Sequence, residues 1–341
     1  MPRAAAVTAA AAAPTLLLAD IGGTNTRVAL AKGAAVRTDT IARFRNADHP
    51  GLETVLRAYL ADHAPDGTGA IDGVCVAAAG PVRDGVAHMT NLDWTIDAGT
   101  LTRPSGAGTV AILNDLQAQG HALGHIATDN LIDILPRADT VAPPAATASR
   151  LVIGVGTGFN AAPVHETPAG RVVPPSECGH VNLPIRTEAD LRLCHFVETA
   201  HGFPAVEDVL SGRGLERVHA WLTAEAGAPA ERGAAEIMAA IAAGDDAMAE
   251  QAGRVFARIL GTTTGNLALI HLPFGGLYLI GGVARAFAPH LDRLGFGTAY
   301  RDKGRFTGFM ANFPVHVVAD DYAALTGCAG YLTATMAAPG R

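Results

Sequence analysis

An apolar run that ends in an acidic residue and two glycines constrains this chain more than any other segment. It reads LLLADIGGTNTRVAL, from Leu16 to Leu30. Leu16 to Ala19 has the character of a buried strand, with Asp20 at its end. Gly22 and Gly23 let the backbone turn closely, so that amide groups and the Thr24 hydroxyl can face an anion. Asp20 would then offer Mg²⁺ or a water molecule a place beside phosphate oxygens. The plainer reading of the same residues is a hairpin turn between two strands. Ile153-Gly-Val-Gly-Thr-Gly158 and Ile280-Gly-Gly282 repeat the pattern, each behind an apolar, strand-like run.

At 341 residues and 49% hydrophobic, the chain can bury about three quarters of its extended surface. That length favours two domains over one. Its 25 basic and 32 acidic residues give a net charge of -7, which argues against general nucleic-acid binding but not against a local anion pocket. Cys75, Cys178, Cys194 and Cys328 form no CxxC pair and match no metal framework, as expected of reduced thiols in a cytoplasmic protein. No run of about 18 residues is apolar throughout, so no membrane span is expected. The Ala-rich stretch 1–14 reads as a disordered tail and not an export signal, because Leu16 to Leu18 are needed for the first strand.

The polar stretch after Leu30, through Arg37, resembles a hairpin connection, and Thr38 to Phe44 reads as a strand. Leu52, Val55, Leu56, Tyr59 and Leu60 share one helical face. Gly73 to Ala79 is a buried strand stopped by Gly80-Pro81, and Val82 to Met89 a short hairpin. Val110 to Leu113 is a strand that delivers Asn114 and Asp115 at its end, with a helix from Leu116 to about Leu123. Asp139 to Ser149 is a surface loop. Leu151 to Val155 opens a second block. Helices are predicted at Glu188 to Ala200, Ala205 to Leu210, Gly214 to Leu222, Ala234 to Ala243 and Asp246 towards Ala268. Leu277 to Ile280 and Val315 to Val318 are strands, and a helix from Asp321 carries Gly327 and Gly330 for close packing.

Two blocks of strands and helices, each opening on a glycine-rich turn, predict two α/β domains around a cleft. Ligands of such folds gather at the carboxyl ends of strands, where these motifs fall. No G-x-x-x-x-G-K-[ST] loop occurs. A Rossmann site fits poorly, because no suitable helix follows Gly158 at once.

From Leu16 to about Met336 the chain resembles the bacterial glucokinase family of the hexokinase and actin-like ATPase superfamily. Ala19-Asp-Ile-Gly-Gly-Thr24 is similar to its first phosphate loop, Thr90-Asn-Leu-Asp-Trp94 to a sugar-side motif, and Leu113-Asn-Asp-Leu116 to its catalytic pair. Ile153-Gly-Val-Gly-Thr-Gly158 resembles the second phosphate loop, and Ser176-Glu-Cys-Gly-His180 the sugar-binding E-x-G-H. Glu207 matches a further sugar-binding glutamate, and Leu279-Ile-Gly-Gly282 the adenosine-side motif. Together and in this order they are strong. Asn160 and Ala161 depart from a glycine-containing sequence, and Ser176 and Cys178 from two glycines. Relatives with a zinc-holding cysteine cluster, the ROK group, match less well.

The resemblance implies a two-domain, ribonuclease H-like fold with an interdomain cleft. The small domain would span 15–115 plus 320–341 and the large one 116–319. It implies transfer of the ATP γ-phosphoryl group to the 6-hydroxyl of glucose, with ATP and Mg²⁺ as cofactors and a homodimer as the assembly. Asp115 would take the hydroxyl proton, against its plainer role as a helix cap. Asn91, Asn114, Glu177, His180 and Glu207 would bind the sugar, since carboxylates, amide and imidazole together match its hydroxyls. Ala19, Asp20, Ile21, Gly22, Gly23, Thr24, Gly156, Thr157, Gly158, Gly281 and Gly282 would hold the nucleotide, and Asp20 the metal directly or through water.

Two rivals stand beside this reading. One is a kinase for mannose, fructose or glucosamine on the same scaffold. The other is a catalytically inactive sugar sensor. A DNA-binding regulator is disfavoured because the stretch before the first strand is too short for a helix-turn-helix, and a sensor has no need of Asp115 as a base.

Overall fold

A computed structural model describes residues 12–63, 70–89 and 92–338. The tail expected over 1–14 therefore falls largely outside the described residues, as does Asn91. The chain forms two compact units, Met1–His125 with Tyr322–Arg341, and Ile126–Asp321.

In the first unit, β1 (Thr15–Ile21) turns into β2 (Asn25–Lys32), followed by β3 (Ala35–Val36) and β4 (Ala42–Arg45). Helix α1 (Leu52–His63) leads to β5 (Gly73–Ala78). A small sheet of β6 (Val82–Arg83), β7 (Val86–His88) and β8 (Thr95–Ile96) precedes α2 (Ala98–Ser105), β9 (Thr109–Asn114) and α3 (Asp115–Ala122). The main sheet runs β3-β2-β1-β5-β9, with β4 also on β2. β1 is antiparallel to β2 but parallel to β5, and β5 is parallel to β9.

Because strand side chains alternate between faces, β1 serves two cores. Leu17, Ala19 and Ile21 pack with Leu52, Val55 and Tyr59 of α1. Leu16 and Leu18 pack on the other side. A strand covered on both faces reads as a continuous apolar run, which is why Leu16 to Ala19 stood out. Each such leucine contributes about 1.5–3 kcal/mol.

The second unit begins with β10 (Leu131–Leu135), then β11 (Arg150–Val155), β12 (Phe159–Thr167) and β13 (Gly170–Val172). Helices α4 (Glu188–His201), α5 (Gly212–Glu225), α6 (Ala234–Ala243) and α7 (Ala247–His271) follow. After them come β14 (Leu277–Ile280), α8 (Gly282–Phe287), α9 (Phe296–Arg301) and β15 (Val315–Val318). The sheet order is β10-β15-β14-β11-β12-β13. β11 is antiparallel to β12 and parallel to β14, which is parallel to β15. Each sheet thus has a hairpin closed by a glycine turn with two parallel strands beside its first strand.

The chain then returns to the first unit as α10 (Ala323–Ala337). Leu325, Cys328 and Leu332 of α10 meet Leu16, Leu18 and Cys75. A β-carbon on Gly327 would overlap the Ala118 carbonyl, so α10 lies directly on the backbone of α3. The first unit therefore continues through α3 to His125, beyond the boundary expected at 115.

Two expected elements differ. Residues 38–40 form a 3₁₀ turn and only Ala42–Arg45 is strand. Residues 205–210 are a turn and not a helix. The Val206 and Glu207 N–H groups donate to Val181 and Gly179 carbonyls, and Ala205 N–H to Asp208 Oδ2 at 3.0 Å. These tertiary bonds replace the helical ladder. No helix among the described residues is long and apolar enough to cross a membrane, and all four cysteines are free thiols.

Candidate active site

The sheet of the first unit aligns its proposed chemistry along one edge. Asp20 pairs with Ala77, and Ala78 with Asn114, so Asp20, Asn114 and Asp115 lie near the carboxyl ends of three adjacent parallel strands spaced about 4.8 Å apart. Asp20 faces Arg27 across the hairpin, with an ion pair of 3.1 Å and a carboxylate 18% exposed. Burial raises its pKa, and Arg27 opposes that shift. Ala19 and Ile21 are core residues, so only their main-chain atoms can meet a ligand.

Gly22 N–H donates to the Asn25 carbonyl at 3.0 Å, while Gly23 and Thr24 are exposed. The hairpin and the anion loop are the same turn. Asn46, which sequence reasoning passed over, holds it. Its Nδ2 donates to the Gly22 carbonyl at 2.8 Å and its N–H to the Thr24 carbonyl at 2.9 Å. Its Oδ1 accepts from Thr26 Oγ1 at 2.8 Å. A lone Asn in a polar segment carries no signal of this.

Asn114 caps α3, in a capping box with Gln117. Its Oδ1 accepts from Leu116 N–H at 3.0 Å, and its Nδ2 donates to the Gly80 carbonyl at 3.0 Å. The capping role weighed for Asp115 thus belongs to its neighbour. Asp115 is the first helical residue and accepts the Leu116 N–H through Oδ1 at 2.8 Å. Burial pushes its carboxyl up to about 6, with the Asp20 carboxylate adding to the rise and Leu116 N–H and Asn114 opposing it. A carboxyl tuned this way is ionised at neutral pH yet more basic than an ordinary aspartate, as a general base requires.

The second unit gathers the remaining residues. Between β11 and β12, Gly156 N–H donates to the Gly158 carbonyl at 2.9 Å, and the Gly156 carbonyl accepts from Gly212 N–H at 2.9 Å. Thr157 is exposed at the tip. Gly281 precedes α8 with φ 111°, and a β-carbon there would meet the Val155 carbonyl, so Gly281 and Gly282 sit beside the end of β11. Glu177 caps the 3₁₀ turn Cys178–His180. Both Glu177 and His180 are exposed. Glu207 accepts Phe159 N–H through Oε2 at 2.9 Å and donates its own N–H to the Gly179 carbonyl at 2.9 Å.

The structure therefore brings together Asp20, Gly22, Gly23, Thr24, Asn114 and Asp115 in one unit. In the other it joins Gly156, Thr157, Gly158, Glu177, His180, Glu207, Gly281 and Gly282. Asn160, noted in the sequence only as a departure from the resembled motif, also lies here; its Nδ2 donates to Glu177 Oε2 at 3.1 Å. No group of three or more metal-ligating side chains occurs among the described residues. The Asp20 carboxylate, 18% exposed beside Arg27, is the kind of donor that Mg²⁺ takes together with water and substrate phosphates.

Paired mixed sheets with glycine turns at their hairpins define an α/β protein of the hexokinase and actin-like ATPase fold. Similar solved structures include a glucokinase from an Antarctic psychrotroph, 28% identical with a TM-score of 0.80, covering 93% of this chain and 98% of that one. A Balamuthia mandrillaris glucokinase in complex with glucose has a TM-score of 0.78 at 20% identity, covering 96% of each chain; at that identity the likeness speaks to the fold alone. The glucokinase family model matches residues 17–335. A Rhizobium leguminosarum bv. trifolii glucokinase is 31% identical over 318 residues, 93% of this chain and 91% of that protein. A Ralstonia nicotianae glucokinase is 33% identical over 324 residues, 91% and 93% of the two. The chain belongs to the glucokinase family of sugar kinases.

Proposed function

We propose that this protein is an ATP-dependent glucokinase that converts glucose and ATP to glucose 6-phosphate and ADP. The observation that carries the reading is Asp115, buried beside the Asn114 cap with its carboxyl raised to about 6, at the sheet edge that also holds Asp20. In the reaction, the sugar O6 forms a bond to the γ-phosphorus while the bond from that phosphorus to the β,γ-bridging oxygen breaks. Asp115 accepts the O6 proton as the new bond develops.

Asn91, Asn114, Glu177, His180 and Glu207 bind and orient the sugar in this reading. Glu177 and Glu207 accept hydroxyl protons, and Asn114 keeps one amide N–H to offer after its cap and its bond to Gly80. The two glycine turns, with Thr24 and Thr157, donate to the ATP phosphates, and Gly281 and Gly282 leave room for the adenosine. Mg²⁺ held by Asp20, directly or through water, would neutralise phosphate charge. Phosphoryl transfer depends mainly on such alignment and charge compensation. Exclusion of water from the bound sugar would keep it from competing as acceptor. The same reading makes the protein a cytoplasmic homodimer with no nucleic-acid or membrane partner.

The test is coupled ADP release with ATP, Mg²⁺ and glucose, mannose, fructose or glucosamine, run beside Asp115→Ala. Glucose turnover that collapses in the variant supports the reaction and the base together. Turnover mainly on another hexose keeps the chemistry and changes the substrate. A folded protein with no sugar-dependent turnover would return the sugar-sensor reading.

A further inference from the structure

We infer that Asn160 is a positioning residue for sugar recognition: it clasps the Ser176–His180 loop and aims the Glu177 carboxylate. The inference rests on the glucokinase reading, in which Glu177 binds sugar. Asn160 Oδ1 accepts from Ala161 N–H at 2.8 Å, Ser176 Oγ at 3.1 Å and Cys178 N–H at 3.1 Å, with Cys178 Sγ at 3.5 Å. Its Nδ2 donates to the Ser176 carbonyl and to Glu177 Oε2, the latter at 3.1 Å. Ser176 Oγ also lies 2.6 Å from the Ala161 carbonyl. Asn160, Ser176 and Cys178, which together with Ala161 depart from the glycines of the resembled motifs, are here bonded to one another through Asn160.

The place of this clasp in the fold gives it consequence. Asn160 is the second residue of β12, held in register against Gly154 of β11. The residue before it, Phe159, donates its N–H to Glu207 Oε2 at 2.9 Å. Two successive residues of one sheet strand thus each hold one oxygen of the two sugar-side carboxylates, leaving Oε1 of each for a hydroxyl. Glu207 is reached by a main-chain N–H, which no substitution except proline removes. Glu177 is exposed and sits in a segment whose local structure is a single 3₁₀ turn, so its aim depends on the Asn160 side chain. Fixing the acceptor direction lowers the ordering cost of binding and sharpens discrimination between sugars that differ in the direction of one hydroxyl.

The experiment compares wild type, Asn160→Ala and Asn160→Asp as full chains. It measures kcat and KM for glucose and mannose, glucose binding by calorimetry without ATP, and Tm. Asn160→Asp keeps Oδ1 for the loop donors but cannot donate to Glu177 and sets a negative charge beside it. Loss of a hydrogen bond to a charged group corresponds to about tenfold to hundredfold in affinity. The expected result is a rise of that size in glucose Kd and KM for both variants, with kcat within about threefold and a smaller preference for glucose over mannose. In Asn160→Asp the Tm stays near wild type, and glucose affinity recovers as pH falls and the new carboxyl pair takes up a proton. An Asn160→Asp protein that binds glucose like wild type, with the same sugar preference, overturns the inference, as does an affinity loss that only tracks loss of Tm. Wild type that neither binds nor phosphorylates any hexose removes the underlying reading instead, and the proposal with it.

Discussion

The Glu207 carboxylate lies against Gly158 so closely that a β-carbon there would overlap it, and it takes the next backbone N–H, from Phe159, at 2.9 Å. A turn proposed to hold phosphate and a carboxylate proposed to hold sugar are therefore in direct contact within one unit. The overlapping atoms are the far end of a flexible side chain, so Gly158→Ala should cost less than about 1 kcal/mol of stability. Its effect should fall on function, with sugar KM raised about tenfold or more as Glu207 swings away. In a Glu207→Ala background the substitution should add almost nothing to KM. A double-mutant cycle measures this coupling; additive effects on KM would show that the contact carries no sugar binding.

Asp115 sets the pH behaviour. With its carboxyl raised to about 6, kcat/KM should fall below that pH as the base becomes protonated. Asp115→Asn should lower kcat by about 10²–10⁴. The sign for stability is the opposite. The folded state holds the Asp115 proton more tightly than the unfolded chain, whose value is near 3.8. This group's contribution is therefore fully present below that value and is lost as pH rises through about 6. The interval corresponds to at most about 3 kcal/mol. Asp115→Asn should accordingly raise Tm at pH 7.5 while abolishing turnover, and an unchanged or lower Tm would contradict the burial cost.

Asn46 is buried and ties the Gly22–Thr24 turn to the chain after β4. Asn46→Ala leaves the buried Thr26 hydroxyl and the Gly22 carbonyl short of partners, at a cost of about 1–3 kcal/mol each where water cannot replace them. Urea unfolding should show a loss in that range. Steady-state kinetics should show KM for ATP rising more than KM for glucose, because the disturbed turn is the one proposed to hold the ATP phosphates.

Gly327 presents the contrasting case to Gly158. The atom that a β-carbon would meet is the Ala118 backbone carbonyl, which cannot rotate away. Gly327→Ala should force α10 off α3 and cost at least about 2 kcal/mol. Hydrogen exchange should show protection lost first in Asp115–Ala122 and Ala323–Ala337, with residues 150–280 unaffected.

The sequence was most legible where burial or backbone geometry permitted few residue types. The runs ending at Asp20, Ala79, Val155 and Ile280 are strands buried on both faces, and they could be read with nearly correct ends. Expectation failed where long-range hydrogen bonds overrode local pattern. Ala205 to Leu210 has a helical look, but the N–H groups of Val206 and Glu207 are claimed by the Val181 and Gly179 carbonyls and that of Ala205 by the Asp208 side chain. Strands β10, β12 and β13 went unnamed: β10 and β13 have five and three residues at the rim of a sheet, and β12 is interrupted by Pro163 and lacks a clear alternation.

Composition and spacing by themselves determined the α/β class and the glycine turns, because each follows from local sterics or from the burial of contiguous side chains; the sugar-side residues were legible only through the resemblance to glucokinases. Only the tertiary structure decided that Asn114 caps α3 and leaves Asp115 buried beside it, that Asn46 ties the Gly22–Thr24 turn and Asn160 the Ser176–His180 segment, and that Glu207 rests on Gly158. Those outcomes are set by distances between residues far apart in the chain, and a hydrogen bond or an overlap of a few tenths of an ångström leaves no trace in local pattern.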